Sequence, residues 1–136
     1  MSGKVFFDTN VLIYPLCRAD ARTMVAEKLL ARGGVVGVQV LNEFVSAARR
    51  KFAMSWADVL DALGAIRVLC GEPTALDDAT HRRAVDIGSR HGLSIYDALI
   101  GSAALAARCD TLLTEDMQHG RIFEGTLTLE NPFKSS

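Results

Sequence analysis

The sequence predicts an α/β fold in which helices cover both faces of a parallel sheet. Short runs rich in β-branched and aromatic residues alternate with longer stretches of helical periodicity along the chain. Strands that are joined by helical connections pair in parallel through right-handed crossovers. The first run, residues 4–7, is largely apolar without alternation, which is typical of a strand buried on both faces.

Each predicted element has a local signal. Pro15 shortens or kinks the first helix, and Gly33 and Gly34 end the second. Ser55 and Ser94 each begin a capping box, with an aspartate three residues later. The predicted strands are residues 4–7, 35–38, 68–70, 111–114 and 126–129, the last at a sheet edge. The predicted helices are residues 10–17, 20–32, 39–52, 76–90, one that follows Ser55, and one from residue 94 to residue 108.

Length and composition restrict the class of protein. The 136 residues fit a single domain, residues 1–136, and 49% hydrophobic with 23% charged residues excludes intrinsic disorder. The formal net charge of −1 gives no overall basic field. We expect neither a signal peptide nor a membrane helix. Three widely spaced cysteines predict neither a disulfide framework nor a zinc site, and favour a reducing, cytoplasmic compartment.

Acidic residues stand at the positions where a sheet of this kind binds ligands. Asp8 directly follows the first strand, and Glu115 and Asp116 follow the strand at residues 111–114. Ligands bind beyond the carboxyl ends of parallel strands, so these side chains are expected at one sheet edge. Glu43 and Asp97 each interrupt an apolar stripe at helical spacing.

These carboxylates need partners if they are buried. An unpaired buried carboxylate costs several kcal/mol, and no Lys or Arg recurs at a spacing that would supply one to each. A shared Mg²⁺ or Mn²⁺ would compensate them together, because these ions prefer oxygen ligands. Taken singly, each acid could also be present for a structural reason. Asp8 and Asp97 could stabilise a helix N-terminus, and Glu43 could lie at the edge of its apolar stripe and reach water. Glu115 and Asp116 could be ordinary turn residues.

Four segments in order resemble the acidic motifs of the PIN domain: FDTNVLI (residues 7–13), NEF (42–44), YDALI (96–100) and LLTED (112–116). Within that family the chain is most similar to VapC-type toxins, the ribonuclease halves of bacterial toxin–antitoxin pairs. The resemblance implies a three-layer α/β/α sandwich around a parallel sheet of about five strands. It also implies Mg²⁺-dependent hydrolysis of RNA that leaves a 5′-phosphate and a 3′-hydroxyl, a VapB-like antitoxin, and a homodimer.

The resemblance assigns roles to individual residues. Asp8 and Asp97 would be the principal Mg²⁺ ligands, with Glu43 and Asp116 completing the catalytic acidic cluster. Asn10, Thr114 and Glu115 would not bind the metal themselves but would lie next to these ligands and orient their carboxylates. Many relatives carry a further acid where this chain has Gln118, so tight binding of a second metal is not implied.

The charge balance is compatible with an RNA substrate once the site acids are set aside. Sixteen acidic residues are present, and eleven remain against fifteen basic ones when five are set aside, namely Asp8, Glu43, Asp97, Glu115 and Asp116. Arg49 and Arg50, at the end of the helix that carries Glu43, are candidates for contacts to the RNA backbone or ordinary helix-terminal cations. The apolar positions Met24, Val25 and Leu29 and the helix of Trp56 could form either an interface or plain core.

Two other functions remain open. A non-catalytic PIN-like module that binds RNA or protein would share the fold without the reaction. A metal-dependent phosphatase is less favoured, because Asn10 stands where such an enzyme needs a second aspartate, and the only lysine after Lys51 is Lys134.

Overall fold

The computed structural model describes residues 3–17 and 19–134; residues 1, 2, 18, 135 and 136 of the predicted domain lie outside this part. The described chain begins with one strand, continues through six helices and ends with three strands, so the predicted alternation of strands and helices is not observed. Their order is β1 (Val5–Phe7), α1 (Thr9–Cys17), α2 (Thr23–Arg32), α3 (Val38–Lys51), α4 (Trp56–Cys70), α5 (Asp78–His91), α6 (Ile95–Ala106), β2 (Thr111–Leu113), β3 (Ile122–Phe123) and β4 (Leu127–Glu130).

The sheet has the strand order β1-β2-β4-β3 and is parallel except at one edge. β1 and β2 pair in parallel with Phe7 opposite Leu113, and β2 and β4 pair in parallel with Leu113 opposite Glu130. The residues that follow β1 and β2, Asp8 and Thr114, therefore lie side by side at the same sheet edge. The α/β prediction is confirmed, and this register is what positions the site.

The predicted number and direction of strands differ from the structure at three places, of which the first two are residues 35–38 and β3. Residues 35–38 form only isolated bridges, Phe6 with Val35 and Gly37 with Thr74, because α3 already begins at Val38. β3 was not predicted; it pairs antiparallel with β4 and takes the edge, so β4 is an interior strand and not the edge strand expected at residues 126–129.

The missed hairpin between β3 and β4 has an unusual turn sequence. Glu124 and Gly125 both have positive φ (54° and 69°), and the Thr126 amide donates to the Phe123 carbonyl at 3.1 Å. Two successive positive-φ residues are the signature of a type I′ hairpin turn, for which Asn or Asp is the usual first residue. Glutamate at that position concealed the hairpin signal.

The predicted strand at residues 68–70 is wrong, because these residues form the last turn of α4. The helix ends at Gly71, whose φ of 74° is left-handed and whose amide donates to the Arg67 carbonyl at 2.9 Å. Val68 is 86% exposed, so the apolar character of this run belongs to a helix surface and not to a buried strand.

Helix starts follow the predicted capping residues at two positions. The Ser55 and Ser94 hydroxyls accept from the amides of Asp58 and Asp97, each at 3.1 Å. α2 starts three residues later than predicted, since the Asp20 carboxylate accepts from the Arg22 amide at 2.8 Å and holds this segment in a turn.

Helices cover both faces of the sheet, as predicted. Gly37 packs closely on the Phe6 ring and on Ala103 of α6, because an added Cβ would lie 3.1 Å and 3.4 Å from them. Gly34 packs closely on the Phe7 ring, because an added Cβ would lie 2.6 Å from that ring. Successive strand residues point to opposite faces, so the fully buried Phe6 and Phe7 fill two layers of core. No helix of the described chain is long and apolar enough to cross a membrane.

Candidate active site

Asp8 is buried at the carboxyl end of β1, with 2% of its surface exposed. One carboxylate oxygen accepts from the Thr9 amide at 2.6 Å, and the other accepts from the Thr114 hydroxyl at 2.6 Å. Both donors are neutral. Burial raises the pKa of the Asp8 carboxyl from 3.8 to about 7, and these hydrogen bonds offset only part of that rise.

Asp116 lies beside Asp8 because β2 leads into it. The Thr114 hydroxyl that donates to Asp8 also accepts from the Asp116 amide at 3.2 Å. The Asn10 side-chain amide donates to the Asp116 carboxylate at 3.0 Å, while its own Oδ1 is buried with no hydrogen-bond partner within the described residues. Thr114 thus donates to Asp8 and Asn10 donates to Asp116, so each of these two side chains contacts one acid of the predicted site.

Glu43 projects from α3 toward the same edge. Its carboxylate accepts from Gln39, one helical turn earlier, at 3.0 Å and from the Thr9 hydroxyl at 3.4 Å. Burial raises the pKa of the Glu43 carboxyl, and the charges of Asp97 and Asp116 raise it further.

Asp97 lies in the first turn of α6, where the Ser94 cap holds its backbone. Burial raises the pKa of the Asp97 carboxyl, and the charge of Asp116 adds to this effect. A hydrogen bond from the Ser94 side chain lowers the same pKa and offsets part of the rise.

We call Asp8, Glu43, Asp97 and Asp116 the acidic cluster. The charge of Asp116 raises the pKa of each of the other three, so four distant segments of chain share one electrostatic environment. Across residues 3–17 and 19–134, none of the four forms an ion pair with a basic side chain. The cluster therefore carries negative charge that the described protein leaves uncompensated.

Glu115 does not join the acidic cluster. Its carboxylate pairs with the Arg22 guanidinium at 3.1 Å and accepts a hydrogen bond from the Tyr14 hydroxyl. Arg22 also stacks 4.5 Å above the Tyr14 ring. Within the described residues no hydrogen bond connects Glu115 to the cluster, so its contacts do not fit the predicted supporting role.

An open pocket of about 370 Å³ lies over the acidic cluster. Glu43 and Asp116 line it, whereas the buried Asp8 and the half-buried Asp97 do not. Its walls come from α1, α3 and the segment after β2. A ligand that entered this pocket would meet two acids of the cluster directly.

A family model described as the PIN domain matches residues 5–123. The chain belongs to the PIN domain family. A search of curated proteins found no match.

Solved structures with the same fold include the following three. VapC20 of Mycobacterium tuberculosis, a sarcin–ricin loop cleaving toxin, has a TM-score of 0.68 at 20% identity over 83% of this chain and 92% of that one. FitAcB of Neisseria gonorrhoeae has a TM-score of 0.64 at 17% identity over 95% and 98%. VapBC2 of Rickettsia felis, bound to a DNA fragment from its promoter, has a TM-score of 0.60 at 21% identity over 93% and 97%.

The acidic cluster of this PIN domain suits a divalent cation in its chemistry. All of its donors are oxygens, as Mg²⁺ and Mn²⁺ prefer, and its charge is uncompensated. In the described part of the chain, however, no three Asp, Glu, His or Cys side chains are arranged to hold one ion. Asp8 and Asp116 instead accept hydrogen bonds from Thr114 and Asn10.

The two basic candidates of this PIN domain face different surroundings. Arg50 lines the pocket over the acidic cluster and donates to Ser46 at 3.1 Å. Arg49 donates to the Met54 carbonyl at 2.6 Å and stacks 4.6 Å above the Trp56 ring. Arg50 is therefore placed to meet a ligand, and Arg49 secures the corner between α3 and α4.

Sequence reasoning missed two residues that hold the acidic cluster. Gln39 donates to Glu43 from four positions earlier on the same helix, a spacing that the sequence does reveal. Thr9 connects Asp8 to Glu43 through its amide and its hydroxyl. The link from Thr9 to Glu43 spans 34 positions and had no signal in the sequence.

Proposed function

We propose that this PIN domain is a divalent-metal-dependent endoribonuclease that hydrolyses RNA phosphodiester bonds and serves as the toxin of a VapBC-type toxin–antitoxin pair. The observation that carries the proposal is the acidic cluster: four carboxylates from separate segments in one electrostatic environment, with no basic partner among the described residues. A buried charge of this kind is costly unless a cation compensates it.

The proposal assigns a role to each residue of the acidic cluster and to its neighbours. Asp8, Asp97, Asp116 and Glu43 would hold Mg²⁺ or Mn²⁺, directly or through water. When bound there, such a cation would supply a water of lowered pKa and positive charge next to the phosphoryl group. Thr114 and Asn10 fix the orientation of the Asp8 and Asp116 carboxylates through the hydrogen bonds described above. Arg50 contacts a backbone phosphate from the wall of the pocket.

The test is cleavage of RNA by the purified protein with Mg²⁺ or Mn²⁺, compared between the parent and Asp97→Asn. Asparagine keeps the shape of the side chain and removes the charge, so we expect the variant to fold and to lose cleavage. Asp61→Asn, an exposed acid on α4, is the matched control and should cut as the parent does. Equal cleavage by the parent and Asp97→Asn would refute the assignment.

A non-catalytic PIN-like module that binds RNA or protein is the second candidate. It is favoured by one observation: within residues 3–17 and 19–134 no preformed group of three side chains could hold a metal. A parent protein that binds RNA but leaves it intact in Mg²⁺ and in Mn²⁺ would support this alternative.

We further propose that the chain forms a homodimer and that apolar side chains exposed on α2 and α4 contribute to its interface. Met24, Trp56, Leu60 and Val68 are each 59% exposed or more. These positions therefore belong to a surface and not to the core, and an apolar surface of this kind is typical of an interface. Light scattering of the isolated chain should then give the mass of a dimer, and a monomer would contradict the proposal.

A cytoplasmic location is also part of the proposal. It is supported by Cys17, Cys70 and Cys109, all of which are free. Free, dispersed thiols are typical of proteins in a reducing compartment.

A further inference from the structure

A second pocket, of about 460 Å³, lies next to the one over the acidic cluster. The two pockets share the α3 residues Glu43, Ser46 and Arg50, so they form neighbouring parts of one groove. Both volumes fall in the range of about 300–1,000 Å³ that is usual for small-ligand sites. The second pocket is lined by Gln39, Asn42, Glu43, Ser46, Arg50 and Tyr96.

Tyr96 is the aromatic wall of this second pocket. It immediately precedes Asp97 in the first turn of α6, and 61% of its surface is exposed. The ring makes no aromatic or cation–π contact within the described residues, whereas Arg49 stacks on the exposed ring of Trp56. An uncovered tyrosine ring thus stands beside a member of the acidic cluster.

The polar groups of the second pocket complement a nucleotide. Asn42 is exposed and offers both a donor and an acceptor, while the Gln39 amide is already bonded to Glu43. Arg50 supplies positive charge in both pockets, and its guanidinium is held by Ser46 at 3.1 Å. An aromatic ring, a free carboxamide and a cation are what a protein uses to bind a base and its adjoining phosphate.

We propose that Tyr96 stacks on an unpaired base next to the phosphodiester at the acidic cluster, with Asn42 at the edge of that base and Arg50 on the adjoining phosphate. This inference rests on the proposed ribonuclease function and names the side chains that bind the nucleotide next to the cleaved bond. A base within a duplex is already stacked on its neighbours, so its face is not free for Tyr96. Every base has a stacking face, so this contact selects for strandedness more than for sequence.

The experiment measures binding without cleavage. In an Asp97→Asn background, fluorescence anisotropy follows the affinity for a single-stranded RNA oligonucleotide and for versions in which one base at a time is removed to leave an abasic nucleotide. We expect Tyr96→Ala to weaken binding about 5- to 150-fold, equivalent to the roughly 1–3 kcal/mol of one stacked base. Tyr96→Trp and Tyr96→Phe, which keep an aromatic face, should bind nearly as the parent does.

The abasic series separates stacking from a structural role, because it forms a double-mutant cycle between Tyr96 and the base. One abasic position should weaken binding to the Tyr96 protein and cause no further loss in Tyr96→Ala. Ile122→Ala, a control of similar exposure (54%) on β3, should bind like its parent at every position. Equal affinity of Tyr96→Ala and its parent, or an unchanged abasic penalty in Tyr96→Ala, would overturn the inference.

The two proposals fail in different ways. If the wild-type chain cleaves RNA and Tyr96→Ala cleaves it equally well, the stacking site is wrong and the ribonuclease proposal stands. If the protein binds single-stranded RNA through Tyr96 but never cleaves it, the stacking site stands and the ribonuclease proposal is wrong. An Asp97→Asn protein that binds no RNA at all overturns the stacking site, and the cleavage assay then judges the ribonuclease proposal separately.

Discussion

Replacing Asp8 by asparagine should make the metal-free protein more stable at alkaline pH. Burial raises the pKa of Asp8 from 3.8 in its unperturbed state to about 7 in the folded protein. An acid whose folded pKa is raised stabilises the fold most fully below the unfolded pKa, and this stability is lost as the pH rises through the folded pKa. Each pKa unit corresponds to roughly 1.4 kcal/mol. Between about pH 5 and pH 8 Asp8 should therefore cost the folded state roughly 3 kcal/mol.

Urea unfolding in EDTA measures this directly. The parent should lose roughly 3 kcal/mol more stability than Asp8→Asn between about pH 5 and pH 8, because every other titrating group is common to both proteins. Asp61→Asn, an exposed acid, should follow the parent. If the stability of the parent and of Asp8→Asn depended on pH in the same way, the conclusion that Asp8 is buried without a compensating positive charge would be wrong.

Three further substitutions test which residues hold or join the acidic cluster. Ser55→Ala and Ser94→Ala should each lower the free energy of unfolding by about 1 kcal/mol, because each removes a helix cap. Only Ser94→Ala should slow RNA cleavage, because only the Ser94 cap positions Asp97. Equal cleavage by the two variants would contradict this role. Glu115→Gln should leave the affinity for Mn²⁺ unchanged in calorimetry, since Glu115 is paired with Arg22; a loss of affinity would place Glu115 among the ligands.

The acids at the strand ends were predictable because the rule for parallel sheets depends only on strand register. Asp8 and Asp116 converge since Phe7 pairs with Leu113, and the sequence marks both strand ends. Glu43 and Asp97 were found because each interrupts an apolar stripe on a helix. These signals are local, so they survive in the sequence without knowledge of the tertiary structure.

The distinctions that failed depend on contacts between distant residues. Glu115 and Asp116 are adjacent acids, and only Tyr14 and Arg22, about a hundred positions away, draw Glu115 out of the acidic cluster. Arg49 and Arg50 are likewise adjacent, yet successive helix positions point in different directions, so one reaches Trp56 and the other reaches the pocket.

The β3–β4 hairpin was missed for a different reason. Glu124 adopts a positive φ that its residue type rarely takes, and the antiparallel pairing with β4 stabilises that turn. Local propensity therefore predicted the wrong edge strand. The tertiary pairing decided the outcome.

Calorimetric titration of Mn²⁺ and Mg²⁺ into the purified chain at about pH 8 most directly tests whether the acidic cluster is a metal site. The account predicts binding by the parent, a loss of at least about tenfold in affinity for Asp97→Asn and for Asp116→Asn, and parent-like binding by Asp61→Asn. A parent that binds neither ion, or variants of the cluster that bind as tightly as the parent, would contradict it.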